Sequence, residues 1–277
     1  MKLVSDDLIE MRGLRFHYRD WQTKARNAPC LILLHGFTGH ARSWDTFADV
    51  ASERFRVLAL DQRGHGESDW SDNSEYGPLE MKEDLNSFVH AFDLKEYFVV
   101  GLSMGGTVAI HFAAQKPVGL KKLVIVDIAP EIAVTGIRSI QEGVSQTDIF
   151  ESIDEAFKRA RSANPVPPED THYHRIRHSL MRTENGKWTF KYDRALRQPN
   201  ELARRRPSVE EGWSAVKSIE VPTLLVRGER SNLLTSDVAN KFVDLASNCK
   251  LVEIKGSGHS VPLDKPKDFQ DAVLSFL

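Results

Sequence analysis

Cysteine is nearly missing: the 277-residue chain holds two, Cys30 and Cys249. Two thiols cannot build a disulfide framework and neither has metal-ligand spacing, so a reducing cytosol is the simpler compartment. Net charge is also close to absent, at -2, which gives no reason to invoke nucleic acid or an anionic membrane as a partner. No uninterrupted apolar run approaches the roughly 20 residues that span a bilayer. The opening Met1-Lys2-Leu3-Val4-Ser5-Asp6-Asp7 lacks the apolar stretch and small-residue cleavage site of a secretory signal. Tandem repeats and low-complexity tracts are missing too. What remains is an ordinary globular balance, 41% hydrophobic and 27% charged, long enough for one α/β domain or one domain with an insertion.

The stretch 94–116 organises that chain. An apolar run, Tyr97-Phe98-Val99-Val100, enters a sharp turn, Gly101-Leu102-Ser103-Met104-Gly105-Gly106, and leaves through a small-residue helix. A serine with glycine two residues to either side, at a strand-to-helix turn, is a nucleophile elbow. The glycines are needed because the turn crowds the backbone at Gly101 and Gly105. Ser103 is thereby pushed clear of the sheet, with the Met104 N–H at a helix N-terminus, able to face an anion. The alternative, a glycine-serine turn without chemistry, is weakened by the strand before, the helix after and the matching residues elsewhere.

Around the elbow, short buried-type strands alternate with helices. A hairpin over 8–18 turns at Arg12-Gly13, and Cys30-Leu31-Ile32-Leu33-Leu34 ends in His35-Gly36-Phe37-Thr38-Gly39. A helix over 44–52 leads to a strand over 55–60 that ends in Asp61-Gln62-Arg63-Gly64-His65-Gly66-Glu67-Ser68, and a helix over 78–92 follows. Beyond the elbow, Lys122-Leu123-Val124-Ile125-Val126 ends at Asp127. From 129 to 206 no strong apolar strand occurs, except for a hairpin signal at Asn185-Gly186-Lys187-Trp188-Thr189-Phe190. Alternation resumes at Pro222-Thr223-Leu224-Leu225-Val226-Arg227-Gly228, followed by a helix over 236–246, a strand over 250–254 and a helix over 265–277. This order implies a parallel sheet covered on both faces, with ligands at the carboxyl ends of its strands.

Ser103 needs a base within hydrogen-bond reach. Of ten histidines, His259 is best placed, in Lys255-Gly256-Ser257-Gly258-His259 after the last strand. His111 falls inside the elbow helix and reads as a packed or surface residue. His172, His174 and His178 could touch substrate or form a solvated polar face.

Four motifs in order, the His-Gly turn at 35–36, the segment 61–68, the serine elbow and the late Gly-His, give the chain a resemblance to the α/β-hydrolase superfamily over nearly its full length. The resemblance implies a mostly parallel eight-stranded sheet flanked by helices, with a helical cap inserted between strands 6 and 7. The core would be 1–128 with 207–277, and the cap 129–206. It implies an oxyanion hole from the Phe37 and Met104 amides, and structural roles for His35, Asp61, Arg63 and His65. It also implies catalysis with no cofactor and no metal on a small-molecule substrate. Most members place the acid after the next-to-last strand, but here that loop reads Glu229-Arg230-Ser231-Asn232-Leu233-Leu234. Asn232 cannot supply the charge, although it could hydrogen-bond the ring. Asp127 ends the strand after the elbow, where a minority of members, certain bacterial esterases among them, keep their acid. The competing role for Asp127 is a cap or turn residue, and Glu229 and Asp237 are outside candidates.

Between residues 158 and 206 the chain carries thirteen Lys or Arg against five Asp or Glu. Among Arg175, Arg177, Arg182, Arg194, Arg197 and the Arg204-Arg205-Arg206 triplet, some could clamp a substrate carboxylate, or all could form a solvated face. Trp188, Phe190 and Trp213 could wall an acyl pocket or pack the cap on the core. The expected function is a serine hydrolase of an ester, lactone or activated amide. Two alternatives stand beside it: a C–C bond hydrolase of a ring-cleavage diketone, and a non-catalytic small-molecule binder on the same scaffold.

Overall fold

The structure, a computed structural model, describes residues 3–23, 25, 27–197 and 206–277. In chain order the strands are β1 (Val4–Met11), β2 (Leu14–Trp21), β3 (Cys30–Leu34), β4 (Arg56–Leu60), β5 (Tyr97–Leu102), β6 (Leu120–Val126), β7 (Leu180–Arg182), β8 (Trp188–Phe190), β9 (Thr223–Gly228) and β10 (Cys249–Ile254). The helices are α1 (Asp45–Ala51), α2 (Pro78–Ala91), α3 (Met104–Ala113), α4 (Val134–Ser145), α5 (Ile153–Ala163), α6 (Glu169–Ser179), α7 (Val209–Lys217), α8 (Ser236–Leu245), α9 (Val261–Asp264) and α10 (Pro266–Phe276). Eight strands form one sheet in the order β1-β2-β4-β3-β5-β6-β9-β10. Only the β1–β2 and β2–β4 pairings are antiparallel.

The period of two along each strand sorts side chains onto two faces. Ile32, Leu34, Val99, Leu123, Ile125 and Leu225 join one core, covered by Leu85, Phe88, Val108, Phe112 and Phe242 of α2, α3 and α8. Their neighbours Leu31, Leu33, Val100, Val124, Val126 and Val226 join the other, covered by Phe47 of α1 and by Phe269 and Val273 of α10. Both faces exclude water, so the central strands are apolar throughout. Burying each such side chain contributes about 2 kcal/mol. Cys30 belongs to this core, and burial pushes its thiol up to about 12.

Register aligns the carboxyl ends of the central strands. Leu34 pairs with Leu60 and with Gly101, Leu102 with Val126, and Val126 with Val226. The residues that follow, His35, Asp61, Ser103 and Asp127, therefore leave the sheet side by side. The opening hairpin turns at Arg12 and Gly13, both left-handed (φ 49° and 79°), the mirror-image turn that suits twisted strands.

After Asp127 the chain leaves the sheet and rejoins it at β9, the seventh core strand in sequence. The excursion carries α4, α5 and α6, and also the expected hairpin, β7 paired antiparallel with β8. Phe150, Ala156, Ile176 and Leu180 form its own small apolar cluster. No helix among the described residues is long and apolar enough to cross a membrane.

Candidate active site

Ser103 caps α3 with φ 52° and ψ -114°, a strained left-handed conformation for a residue with a side chain. The packing that imposes it is visible at two glycines. A Cβ on Gly101 would collide with the Gly105 carbonyl, and one on Gly105 would meet Leu34 O at 2.5 Å. Ser103 N–H donates to Val126 O (2.9 Å), which ties the turn to the tip of β6. The serine is 7% exposed.

Asp127, at the tip of β6, is fully buried and also left-handed (φ 53°), a conformation aspartate tolerates. Its Oδ1 accepts the Gly228 N–H (2.8 Å). Its Oδ2 accepts both the Ser231 hydroxyl and His259 Nδ1, the latter at 2.7 Å. Two fixed donors thus hold the carboxylate while the ring takes the third bond. With Nδ1 donating to the carboxylate, Nε2 is the nitrogen left to accept a proton, and it has no protein partner among the described residues. The His259 side chain is 25% exposed and lines the same cavity as Ser103. Its loop is held rigidly: Gly258 N–H donates to Asp264 Oδ2 (2.7 Å) and Arg230 N–H to Ser257 O (2.8 Å).

The other acid candidates lie elsewhere. Glu229 is exposed and accepts Gly256 N–H (2.8 Å), and Asp237 sits in the exposed first turn of α8. Asn232 does not bond the ring. It is exposed, and its Nδ2 donates to Ser139 on α4 (2.9 Å), clipping the loop to the excursion. Its neighbour Ser231 is the residue that reaches the acid. The sequence offered one signal, a hydroxyl where most members keep an aspartate.

Phe37 follows β3, and Met104 is the first residue of α3. Neither amide has an acceptor among the described residues, as expected for a first-turn N–H and a loop N–H, and both residues border the smaller cavity. The Phe37 turn is built by His35, whose Nδ1 donates to Gly36 O (2.8 Å) and whose Nε2 accepts Gln62 N–H (3.0 Å). Burial lowers its pKa, so the ring stays neutral as that pattern requires. Asp61 accepts bonds from the Ala41 and Glu67 amides and from His17. Arg63 forms a buried ion pair with Asp84.

Ser103 and Phe37 border two cavities. The smaller, about 120 Å³, is walled by apolar groups including Ile110, Ile128, Ile140 and Leu233. The larger, about 410 Å³, lies under α5 and α6 and is lined also by His259, His172, Arg175 and Phe190. The proposed substrate contacts divide. Arg175 lines the larger cavity, whereas Arg177, two residues on, is exposed and lines neither cavity. Trp188 is also absent from both walls: it bridges to Phe150 outside the hairpin, and Arg182, its partner across the hairpin, lays a guanidinium over its ring at 4.5 Å. Trp213 belongs to the main core instead: its Nε1 donates to Glu131 (2.7 Å) and its ring packs near Phe242. Arg194 and Arg197 pair with Asp148. Arg206 lines the smaller cavity, while Arg204 and Arg205 lie outside the described residues. His172 is 2% exposed, so it is no solvated surface group. Among the described residues no group of three or more His, Cys, Asp or Glu could hold a metal ion.

The chain belongs to the α/β hydrolase family, whose profile it matches over residues 31–272. Esterase Rv0045c of Mycobacterium tuberculosis is 30% identical over 261 residues, covering 91% of this chain and 83% of that protein. 2-(Acetamidomethylene)succinate hydrolase of Mesorhizobium japonicum is 23% identical, covering 91% and 88%. The solved structure of an E-2-(acetamidomethylene)succinate hydrolase superposes with a TM-score of 0.88 over 99% of both chains at 21% identity.

Proposed function

We propose that this hydrolase is a cofactor-free serine enzyme that cleaves a carboxylic ester, lactone or activated amide of a small molecule through an acyl-enzyme. The observation that carries the reading is the 2.7 Å bond from His259 Nδ1 to Asp127 Oδ2, beside a strained serine on the neighbouring strand tip. Ser103 Oγ attacks the carbonyl carbon as His259 Nε2 takes the hydroxyl proton. Asp127 holds the ring in that tautomer and stabilises the imidazolium. Negative charge develops on the carbonyl oxygen, where the Phe37 and Met104 amides are available as donors, each worth about 3 kcal/mol of barrier. The imidazolium then protonates the departing alcohol or amine. In the second half, His259 deprotonates water, which attacks the acyl carbon and releases Ser103. Residues 129–206 act as the cap, with α5 and α6 roofing the larger cavity. Relatives named as esterases over most of this chain's length support the same chemistry.

Incubation with a serine-directed organophosphate, followed by intact mass and peptide mapping, tests the reading. One adduct on Ser103, lost in Ser103→Ala, is expected. A folded protein that takes no label would leave the non-catalytic binder as the better description.

A further inference from the structure

Arg175 lines the larger cavity, yet its guanidinium has neither an ion pair nor a hydrogen bond among the described residues. Only its backbone carbonyl is engaged, by His40 Nε2 at 3.0 Å. The carboxylate whose charge reaches it, Asp264, is committed elsewhere. Its Oδ2 takes Gly258 N–H and its Oδ1 takes Asn164 Nδ2 (2.8 Å). A desolvated cation without a counter-ion is costly, and buried cations in proteins are ordinarily paired. A second, independent observation lies one turn away. His172 borders the same cavity, and neither of its ring nitrogens has a hydrogen-bond partner among the described residues. Residues 172 and 175 are spaced i, i+3 on α6, so they share a helix face. Two unpartnered polar groups on one helix face beside one cavity leave their bonds to be made by whatever occupies it.

Resting on the hydrolase reading above, we infer that this cavity binds a substrate carrying a free carboxylate remote from the bond that is cleaved, held by the Arg175 guanidinium with His172 as the adjoining donor. The charge balance selects a carboxylate over a phosphate. Burial and the Arg175 charge push His172 down to about 4, so it is neutral at working pH and contributes a bond but no charge. Of the two guanidiniums on the cavity wall, that of Arg159 already donates to Thr147 O (2.5 Å) and lies over the Phe150 ring at 4.2 Å, so the one unengaged guanidinium matches a monoanion. Ser103 borders both this cavity and the smaller apolar one, so an anionic end held at Arg175 leaves the apolar chamber to the other end of the substrate.

Three phenyl esters test this: monophenyl glutarate, with the carboxylate on the acyl part, 3-carboxyphenyl butyrate, with it on the leaving group, and neutral phenyl pentanoate. One of the two acids should exceed the neutral ester in kcat/KM by about thirtyfold or more, the usual scale for a buried charge pair. Which acid wins assigns the anion site to the acyl or the leaving-group side. Arg175→Met should collapse that ratio, Arg175→Lys should restore part of it, and His172→Gln should lower it severalfold. A wild-type ratio of one or below, or a ratio untouched by Arg175→Met in a protein with native circular dichroism, overturns the inference. If no ester is hydrolysed and Ser103 takes no organophosphate, it is the hydrolase reading that has failed. Calorimetric titration with pentanoate, which carries a single carboxylate, then decides the subsite by itself. Binding to Ser103→Ala that Arg175→Met abolishes upholds it, and no binding to either overturns it.

Discussion

Two histidine–aspartate pairs stand at the same edge of this sheet, and their bonds have the same length. His17 Nδ1 meets Asp61 Oδ2 at 2.7 Å, and His259 Nδ1 meets Asp127 Oδ2 at 2.7 Å. Both aspartates follow a parallel strand, both are buried, and both accept backbone amides as well. The difference lies at the far nitrogen. His17 Nε2 reaches a second carboxylate, Asp6, at 3.1 Å, and only 8% of that side chain is exposed. Burial alone would lower its pKa, but the bonds and charges of Asp61 and Asp6 outweigh that and leave it raised. His17 is thus a clamped cation. His259 is held on one side only, its other nitrogen open to the cavity that Ser103 borders. A carboxylate–imidazole distance does not make a base, because a ring tied at both nitrogens has nowhere to put a proton.

Exchanging the two acids for amides should separate these roles. Asp127→Asn keeps the shape but removes the charge and invites the wrong tautomer, so kcat should fall about ten-thousandfold with little change in melting temperature. Steady-state hydrolysis of an activated ester reads this directly, and near-normal turnover would put the acid elsewhere. Asp61→Asn should do the reverse. It leaves buried His17 beside one carboxylate instead of two, at a cost of about 3 kcal/mol or more in stability. Turnover per folded molecule should survive, as denaturant melts paired with active-site titration would reveal.

Ser231→Ala probes the open pair more gently. Its hydroxyl is one of two fixed donors on Asp127, and a bond to a charged group is worth about 1.5 to 3 kcal/mol. Roughly tenfold or more should be lost from kcat. Because the ring would reorient rather than leave, KM should move less than kcat. An unchanged kcat would mean that the Gly228 amide suffices.

Much of this site could be read before any coordinates. The glycine spacing around Ser103 announces a turn in which Cβ atoms collide, and Asp127 announces itself by ending an apolar strand beside the elbow. The identity of the cavity-facing arginine could not be read. Helix α6 contains a single aliphatic residue, Ile176, so no apolar stripe reveals which way it docks. Residues 175 and 177, two apart on a helix, point in widely different directions. Trp213 misleads for a related reason, since an indole serves a core as well as a pocket and only tertiary packing decides. In the sequence Ser231 only marks a place where an aspartate is usual, because a hydroxyl gains a role only once the carboxylate it meets has been located.

Acidity should set the clamped pair against the other buried histidines. A raised imidazole stabilises the fold fully below its unfolded value of 6.5, and that contribution fades as pH climbs through the folded value. His40 and His65, pushed by burial down to about 3, and His172, down to about 4, act oppositely. Their neutral forms are favourable above 6.5, and stability drains away as pH falls from there toward those values. Between pH 8 and 5 the three should outweigh the one, so the melting temperature should drop. The penalty of His17→Gln should be larger at pH 5.5 than at pH 8.5. Equal penalties at both would show that His17 is not held as a cation.

The smallest effect should come from restoring the acid that most of the family carries. The Asn232 side chain bonds Ser139, and its backbone is held by the Thr135 hydroxyl on its main-chain carbonyl (3.1 Å), so an aspartate there would face α4 rather than the ring. Asn232→Asp should alter kcat by less than about threefold, since His259 already has its carboxylate. Placed on Asp127→Asn, it should rescue nothing. Ser231→Asp on that same background should recover measurable turnover, because position 231 already touches the oxygen that the ring bonds. Recovery from position 232 instead would mean that the loop after β9 swings its second residue inward, and the open pair would then owe its geometry to that loop rather than to the tip of β6.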